Sequence, residues 1–442
     1  MSPPVERIRS DEKLPATADV VVVGGGIIGV SAAYSLAKRG VSVALLEKGN
    51  IAGEQSSRNW GWCRQQNRDP REIPLIKHSL EMWDALGNEI GADVGFRRVG
   101  LTYVSTKPED IAAWEKWGEI ARSFQVHSRI LSAAEAKAMT PGSTVAWLGG
   151  VHSPTDGRAE PALAGPAIAE AARRLGATIH QNCAVRGMET TGGRVSAVIT
   201  EQGVVRTQAV LCAGGAWASM FCRRHGIGFP QAGVRSTSFY TDAAPQVTEG
   251  GLSMPDVTIR RRLDGGYSVG LSGRGLLELT PQGLRYARQF WRTFKKRRWG
   301  LKISIGRSFL EGPEAMGTWS FDAISPFEKI RTLDPPPDRD LVQMGIRRLA
   351  QTYPILSDLK VAQSWGGLVD ATPDAIPVIS PVDSLPGFYL AAGFSGHGFG
   401  IGPAAGRLAA ALICRDTPIV DPYSYRHKRL IDGTDLGEPG MI

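Results

Sequence analysis

The sequence predicts an α/β fold: a parallel β-α-β domain whose chain is interrupted by a second, strand-rich domain. Three observations lead there. The β-branched run DVVVV over 19–23 stops at Gly24, Gly25 and Gly26, as a strand buried on both faces should. A helix-compatible segment and a second apolar strand follow, giving one β-α-β unit of about thirty residues. The strand-then-glycine pattern returns in AVLCAGG over 209–215 and in GFYLAAG over 387–393, with a different, strand-rich pattern between them.

Taken in order, the helix over Ile27 to Arg39 has apolar residues at helical spacing. Lys38, Arg39 and Gly40 suit its C-terminus electrostatically and sterically. VSVALLE over 41–47 is the second strand. Ile73 to Leu86 and Pro108 to Phe124 read as helices, and Val99 to Val104 as a strand. Pro161 to Leu175 is a helix despite Pro166, followed by three strand-like runs, ATIHQNCAVRGMET, RVSAVITEQG and RTQAVLCAGG. Gly266 to Gly270 is a strand of the second domain, Thr280 to Thr293 a helix heavy in arginine and aromatics, and Arg407 to Cys414 an apolar helix. The boundaries expected are 15–95, 150–232 and 345–425 for the first domain and 96–149 and 233–344 for the second, with 1–14 and 426–442 as tails.

Glycine accounts for 53 of 442 residues, above the usual ~7% and without a collagen period, so many backbone positions need tight turns or close approach. The net charge of +8 favours anionic partners but does not by itself imply nucleic acid, and no nucleic-acid role is expected. The five cysteines are scattered, with no CxxC pair, which reads as reduced cytosolic thiols and no metal site. MSPPVERIRSDEKLPATAD lacks an apolar core, and no run reaches the ~18 apolar residues of a bilayer span. The expectation is a cytoplasmic protein.

Gly24, Gly26 and Gly29 form GxGxxG between strand and helix, so helix N-terminal amides can face a pyrophosphate with no side chain in the way. Glu47 ends the next strand, where a carboxylate accepts from both ribose hydroxyls and repels a 2′-phosphate, which disfavours NADP. An NAD enzyme completes its site with consecutive strands. Here the nucleotide-like signals are dispersed to the middle and end of the chain, which points to FAD.

Five stretches then carry a family resemblance: Gly24 to Gly29 with Glu47, Ser56-Ser57-Arg58-Asn59, Ala213 to Trp217, Thr372-Pro373-Asp374 with Pro377, and Gly393 to Gly406. In this order they resemble the D-amino-acid oxidase superfamily, which includes glycine oxidase, sarcosine oxidase and D-amino-acid dehydrogenase. Ile51 to Ser56, Asn182 to Gly187 and Gly402 to Gly406 are similar in particular to the bacterial L-amino acid deaminases. The resemblance implies a Rossmann-like FAD-binding domain (GR2 type) with an interleaved antiparallel-sheet substrate domain.

It also implies the reaction: hydride transfer from Cα of an amino acid or related amine to flavin N5, then hydrolysis of the imine. Oxygen or a quinone or carrier would be the acceptor. The alternative is a flavin-binding component of a multisubunit complex without amine chemistry of its own. By the same resemblance Ser56 and Ser57 hold the diphosphate, and Val185 offers backbone bonds to adenine. Gln55, Arg58, Asn59, Ile27, Ile28, Lys48, Ala213, Gly214, Trp217, Gly366, Gly396, Gly398, Phe399, Gly400 and Ile401 complete the cofactor set. Six of the fourteen residues from Gly393 to Gly406 are glycine, which suits backbone lying against a flat ring; tight turns are the other reading. Sarcosine oxidases tether flavin through a cysteine shortly before Thr-Pro-Asp. Here that neighbourhood is Trp365-Gly366-Gly367-Leu368, so non-covalent FAD is expected.

A substrate carboxylate needs a positive anchor, and a guanidinium grips it with two oriented bonds. Arg260, before the Asp264-Gly265 turn, is the anchor that the deaminase resemblance implies; a solvated basic strand end is the alternative, and Arg64 is the reserve. His397, in SGHGFG, either polarises the flavin edge or sits there structurally. It is the one catalytic candidate, because no nucleophile-base or paired-carboxylate motif stands out. Trp365 and Phe399, with Trp60 and Trp62, are candidate pocket walls. YARQFWRTFKKRRWGL over 286–301 combines six basic and five aromatic residues. It reads as a solvated helix with its aromatics packed inward or as a peripheral contact with the inner membrane.

Overall fold

Val20–Val23 lies inside a six-stranded sheet whose order is Val378–Pro381, Phe388–Ala392, Ala209–Cys212, Val20–Val23, Val43–Leu46, Thr178–His180. Neighbours run parallel, except that the edge strand Val378–Pro381 is antiparallel to Phe388–Ala392. The computed structural model describes residues 3–439. Val43–Leu46 is buried throughout, as an unbroken apolar run in a two-sided parallel sheet must be.

The helix Ile27–Ala37 is buried along its whole length, packed between the helices Gly398–Cys414 and Pro161–Arg174. The first of these partners begins nine residues before the Arg407 start expected from sequence, and Pro403 stands inside it. Tertiary burial outweighs the poor helix propensity of its glycines and proline. A β-carbon on Gly406 would lie 2.5 Å from the backbone of Ser31 and Ala32, and one on Gly402 2.7 Å from Ile27. These glycines let two helices approach, a use distinct from ligand contact.

The second sheet has ten strands. Its path runs Leu301–Ser304, Gly275–Glu278, Ala232–Thr241, Tyr267–Leu271, Val257–Arg261, Gly251–Ser253, Leu101–Ser105, Gly149–Ser153, Arg129–Leu131, and Val361–Ala371 also pairs with Ala232–Thr241. It is mostly antiparallel but includes two parallel pairs, Gly251–Ser253 with Leu101–Ser105 and Gly275–Glu278 with Leu301–Ser304. The division expected at 149/150 cuts the strand Gly149–Ser153, and that at 345 cuts the helix Arg339–Thr352. Val361–Ala371 pairs from Ala232↔Ala371 to Thr241↔Val361, which ties it to the second sheet. The expected tails are also docked. Asp11 accepts from the Ile179 amide at 2.8 Å, and buried Arg429 grips Asp374 through Nε and Nη2 at 3.1 and 3.2 Å.

An arm over 279–324 leaves the second sheet and rejoins it at Leu301–Ser304. Its helix Ala287–Arg297 has no buried residue, and Trp291, Trp299, Ile305 and Leu310 are exposed, so Trp291 and Trp299 do not pack inward as one sequence reading has it. Near its base Glu314 is buried and accepts from the Gly233 amide at 2.7 Å. Burial pushes the Glu314 carboxyl up from 4.5 to about 7, against the pull of the Gly233 and Thr280 hydrogen bonds. The folded protein therefore keeps a proton that the unfolded chain has lost. This contribution to stability is complete below 4.5 and disappears as the pH rises through about 7. Melting temperatures at about pH 5 and about pH 8 are expected to converge in Glu314→Gln relative to the parent. A slope unchanged by that substitution would assign the effect to another group.

Candidate active site

A cleft open to solvent follows the ends of the parallel strands. It begins at Leu46, Glu47 and Val185, passes the glycine turn, and ends at Gly396, Gly398 and Phe399. Gly24 sits at φ +106°, and a β-carbon there would be 2.5 Å from the Ala213 carbonyl oxygen, so only glycine makes this turn. The helix that follows has no side-chain cap at Gly26. Ser56 Oγ instead accepts from the Ile27 amide at 2.8 Å.

At the other strand end the Glu47 carboxylate is held by the Gly25 and Gly49 amides, both at 2.7 Å. Burial pushes its carboxyl up, while Lys48 and the two amides pull it down. Lys48 Nζ reaches the Glu54 carboxylate at 2.6 Å and lies 4.5 Å from the centre of the Trp217 ring.

These residues fit a dinucleotide. Open helix N-terminal amides face the middle of the cleft, a carboxylate stands at its start, and the buried Gln55 Oε1 has no partner among the described residues. Of the residues expected to hold the cofactor, Gly24, Gly26, Ile27, Ile28, Glu47, Lys48, Gln55, Ser56, Asn59, Val185, Ala213, Gly214, Trp217, Gly396, Gly398 and Phe399 line the cleft. The others have different tasks. Gly29 is needed because a β-carbon would meet the Gly24 carbonyl oxygen, and Gly366 because one would meet Pro335 and Pro336. Ser57 Oγ donates to the Glu54 carbonyl, and Arg58 donates to the carbonyls of Leu333 and Gly366. Ile401 is core, and the Gly400 carbonyl accepts from Ser79 and Trp83.

The substrate candidates separate as sharply. Arg260 is fully buried, and all five of its N–H donors are engaged. Nε donates to Trp60 O at 2.5 Å, Nη1 to Glu160 Oε1 and Arg261 O, and Nη2 to Glu160 Oε2 and Ser268 Oγ. As placed, Arg260 has no N–H left over for a substrate carboxylate, so these bonds lend no support to its expected role as the anchor. Trp365 is likewise internal, donating to the Arg58 carbonyl at 3.1 Å.

Arg64 is half-buried and donates from Nη1 to the Gln66 carbonyl, while its Nε and Nη2 bond to nothing among the described residues. Its charge bears on Glu72, Tyr103 and His397. His397 Nδ1 lies 2.7 Å from Arg68 Nη1 and 3.2 Å from Glu72 Oε1. Burial lowers the imidazole below its usual range and Glu72 raises it, and Nδ1 stands between a guanidinium donor and a carboxylate acceptor. Phe399 packs at 5.3 Å against Trp83. Trp60 and Trp62 rest on the second sheet where Gly270 and Gly251 make room for their rings, 5.5 Å apart edge to face.

Sequence reasoning missed Glu54, Phe327, Arg331, Thr332 and Asp370 in the cleft wall. Nothing local in the sequence marks them, and four of the five come from the second sheet or from the chain that follows it. Cys212 also lines the cleft, with its thiol pushed up to about 12 by burial.

A cleft that runs over a glycine turn from a ribose-type carboxylate to Gly396, Gly398 and Phe399, beside a second sheet, defines a two-domain dinucleotide-dependent redox protein. The match with known proteins is more specific. Over residues 19–412 the chain matches the FAD dependent oxidoreductase (DAO) family, and it belongs to that family. It superimposes on the L-amino acid deaminase of Proteus myxofaciens in complex with anthranilate with a TM-score of 0.91 and 28% identity, covering 96% of each chain. It is 28% identical to glycine oxidase of Pseudomonas aeruginosa over 415 residues, 92% of this chain and 97% of that protein. It is 27% identical to mouse mitochondrial sarcosine dehydrogenase over 426 residues. That is 95% of this chain but 42% of the dehydrogenase, so the chain spans less than half the length of that relative. Among the described residues no group of side chains has the makings of a metal site.

Proposed function

We propose that this chain binds FAD without a covalent link and oxidises an amino acid or a related amine carrying a carboxylate, releasing an imine for hydrolysis. The observation that carries the reading is Arg64, which has two uncommitted guanidinium nitrogens and whose charge acts on His397, between the cleft-lining Gly396 and Gly398. The names of the relatives, an amino acid deaminase, a glycine oxidase and a sarcosine dehydrogenase, support the substrate class. The absence of a cysteine in Trp365-Gly366-Gly367-Leu368 supports dissociable FAD.

FAD, when bound, supplies the two-electron acceptor for the hydride leaving the carbon that bears the amine. The protein's residues prepare the substrate. Arg64 holds the carboxylate, and His397 is pinned between Arg68 and Glu72. The positive charges of Arg64 and Arg68 disfavour an ammonium and so leave the amine lone pair free. Trp60 and Trp62 wall the pocket against water. No protein base is required once the amine binds neutral.

For the acceptor, the exposed arm favours a membrane quinone over dissolved oxygen. Trp291, Trp299 and Leu310, set among Lys295, Lys296 and Arg298, suit contact with an anionic lipid surface, and no helix among the described residues is long and apolar enough to cross a membrane. An anaerobic absorbance spectrum before and after D- and L-amino acids and N-methylated amines tests the whole reading. Bleaching of an oxidised flavin band is expected, with faster recovery on a soluble quinone than on air. A protein without flavin after FAD is added overturns the cofactor assignment. A yellow protein that no member of the panel bleaches overturns the amine chemistry.

A further inference from the structure

The cleft has a wall that does not come from the nucleotide-binding sheet. From the end of the exposed arm, the chain from Trp319 to Asp334 crosses the Glu47 end of the cleft, and Phe327, Arg331 and Thr332 line it. This stretch is fastened at every few residues. Trp319 Nε1 donates to the Arg186 carbonyl at 2.8 Å, and Arg186 in turn grips Glu328 at 2.7 and 3.1 Å. Lys48 Nζ donates to the carbonyls of Ile330 and Arg331 at 3.0 and 2.9 Å. Arg331 forms a two-pronged pair with Glu201, both bonds at 2.5 Å, and also donates to the Lys48 carbonyl at 3.0 Å. The Leu333 amide donates to Glu54 at 3.0 Å, and the Leu333 carbonyl accepts from Arg58 at 2.5 Å.

We infer that 319–334 is a strap that completes the cofactor site and holds the nucleotide in place, with the Arg331–Glu201 pair as its latch. The inference rests on the FAD reading above and adds residues that the nucleotide motif does not contain. Its physical basis is the kind of bond employed. Phe327, Trp319, Ile330 and Leu333 pack on the core beneath, and Phe327 meets Trp217 edge to face at 5.7 Å, but the Arg331 end of the strap is fastened by ion pairs and by hydrogen bonds to single carbonyls. Such contacts are exchanged for water one at a time, and salt screens them. Glu47, Lys48 and Val185 line the cleft together with the strap, so a nucleotide seated on them is held from both sides at this end. Glu201 lies just after the strand Arg194–Thr200 and also accepts from the Ala184 amide at 2.6 Å, so the latch is joined to the backbone next to Val185.

The experiment measures FAD dissociation from the holoenzyme by the rise in flavin fluorescence after dilution, in the parent, Arg331→Ala, Glu201→Gln and the exchanged pair Arg331→Glu with Glu201→Arg. Each single variant is expected to release FAD roughly fivefold faster. The exchanged pair is expected to recover part of the parent rate, short of the bonds to the Ala184 amide and the Lys48 carbonyl, and high salt to speed the parent but not the single variants. Melting of the FAD-free proteins shows whether any variant is merely unstable. Equal dissociation rates in folded variants overturn the strap and leave the FAD reading intact. A parent that takes up no FAD overturns both.

Discussion

Replacing Arg260 by alanine is expected to cost about 3–5 kcal/mol of stability, seen as a melting temperature lower by several degrees, because it leaves the Glu160 carboxylate buried without its partner. Arg260 is fully buried and Glu160 is nearly so. Arg260 also bridges Trp60, ahead of the glycine at 61, to the strand Tyr267–Leu271 through Ser268. Its loss frees the loop that carries Trp60 and Trp62, and turnover falls as a consequence. The paired replacement Arg260→Met with Glu160→Leu is expected to recover most of the stability, since well-packed apolar side chains often replace a buried ion pair without loss. An Arg260→Ala protein with unchanged melting behaviour and a raised KM would restore Arg260 as the substrate anchor.

Replacing Arg64 by alanine is expected to have the opposite signature. The side chain donates one bond to its own loop, at Gln66, so stability moves by less than about 1 kcal/mol. The apparent affinity for a carboxylated substrate falls about a hundredfold, within the ~2–5 kcal/mol of losing one partner of a desolvated charge pair. Arg64→Lys is expected to regain part of this, since it keeps the charge but not the two-pronged grip. Steady-state kinetics with an amino acid and with the corresponding decarboxylated amine decide the matter. An equal loss for both substrates would show that Arg64 does not read the carboxylate.

The contrast between these two arginines shows what could be read from the sequence. GxGxxG, Glu47 and the first β-α-β unit were legible because strand, turn and helix are adjacent in the chain, and each local pattern has one physical use in that order. Arg260 stood in the right place before an Asp-Gly turn, but its partner Glu160 is a hundred residues away and nothing near Arg260 announces it. His397 was visible among glycines, whereas Arg68 and Glu72, which decide where its proton sits, were not. Gly400, Gly402 and Gly406 exposed a different ambiguity. A missing β-carbon serves a ligand or a neighbouring helix equally well, and here it serves the chain from Trp62 to Arg64 and the helix Ile27–Ala37. The arm announced itself by composition. The strap did not, because ion pairs that join 319–334 to Arg186 and Glu201 leave no periodic trace.

The order of the six-stranded sheet has a consequence for how the protein is made. Phe388–Ala392 is inserted between the edge strand and Ala209–Cys212, and the helix Gly398–Cys414 covers the one that starts at the glycine turn. At about 5–20 residues per second, a ribosome delivers these pieces on the order of tens of seconds after the first strand has emerged. Through that interval Val20–Val23 and Val43–Leu46 are an apolar nascent segment lacking their later partners, the kind of species that chaperones shield. The cofactor cleft comes into being only after the stretch that carries Gly396, Gly398 and Phe399 has been made, so the nucleotide cannot load on the first β-α-β unit alone.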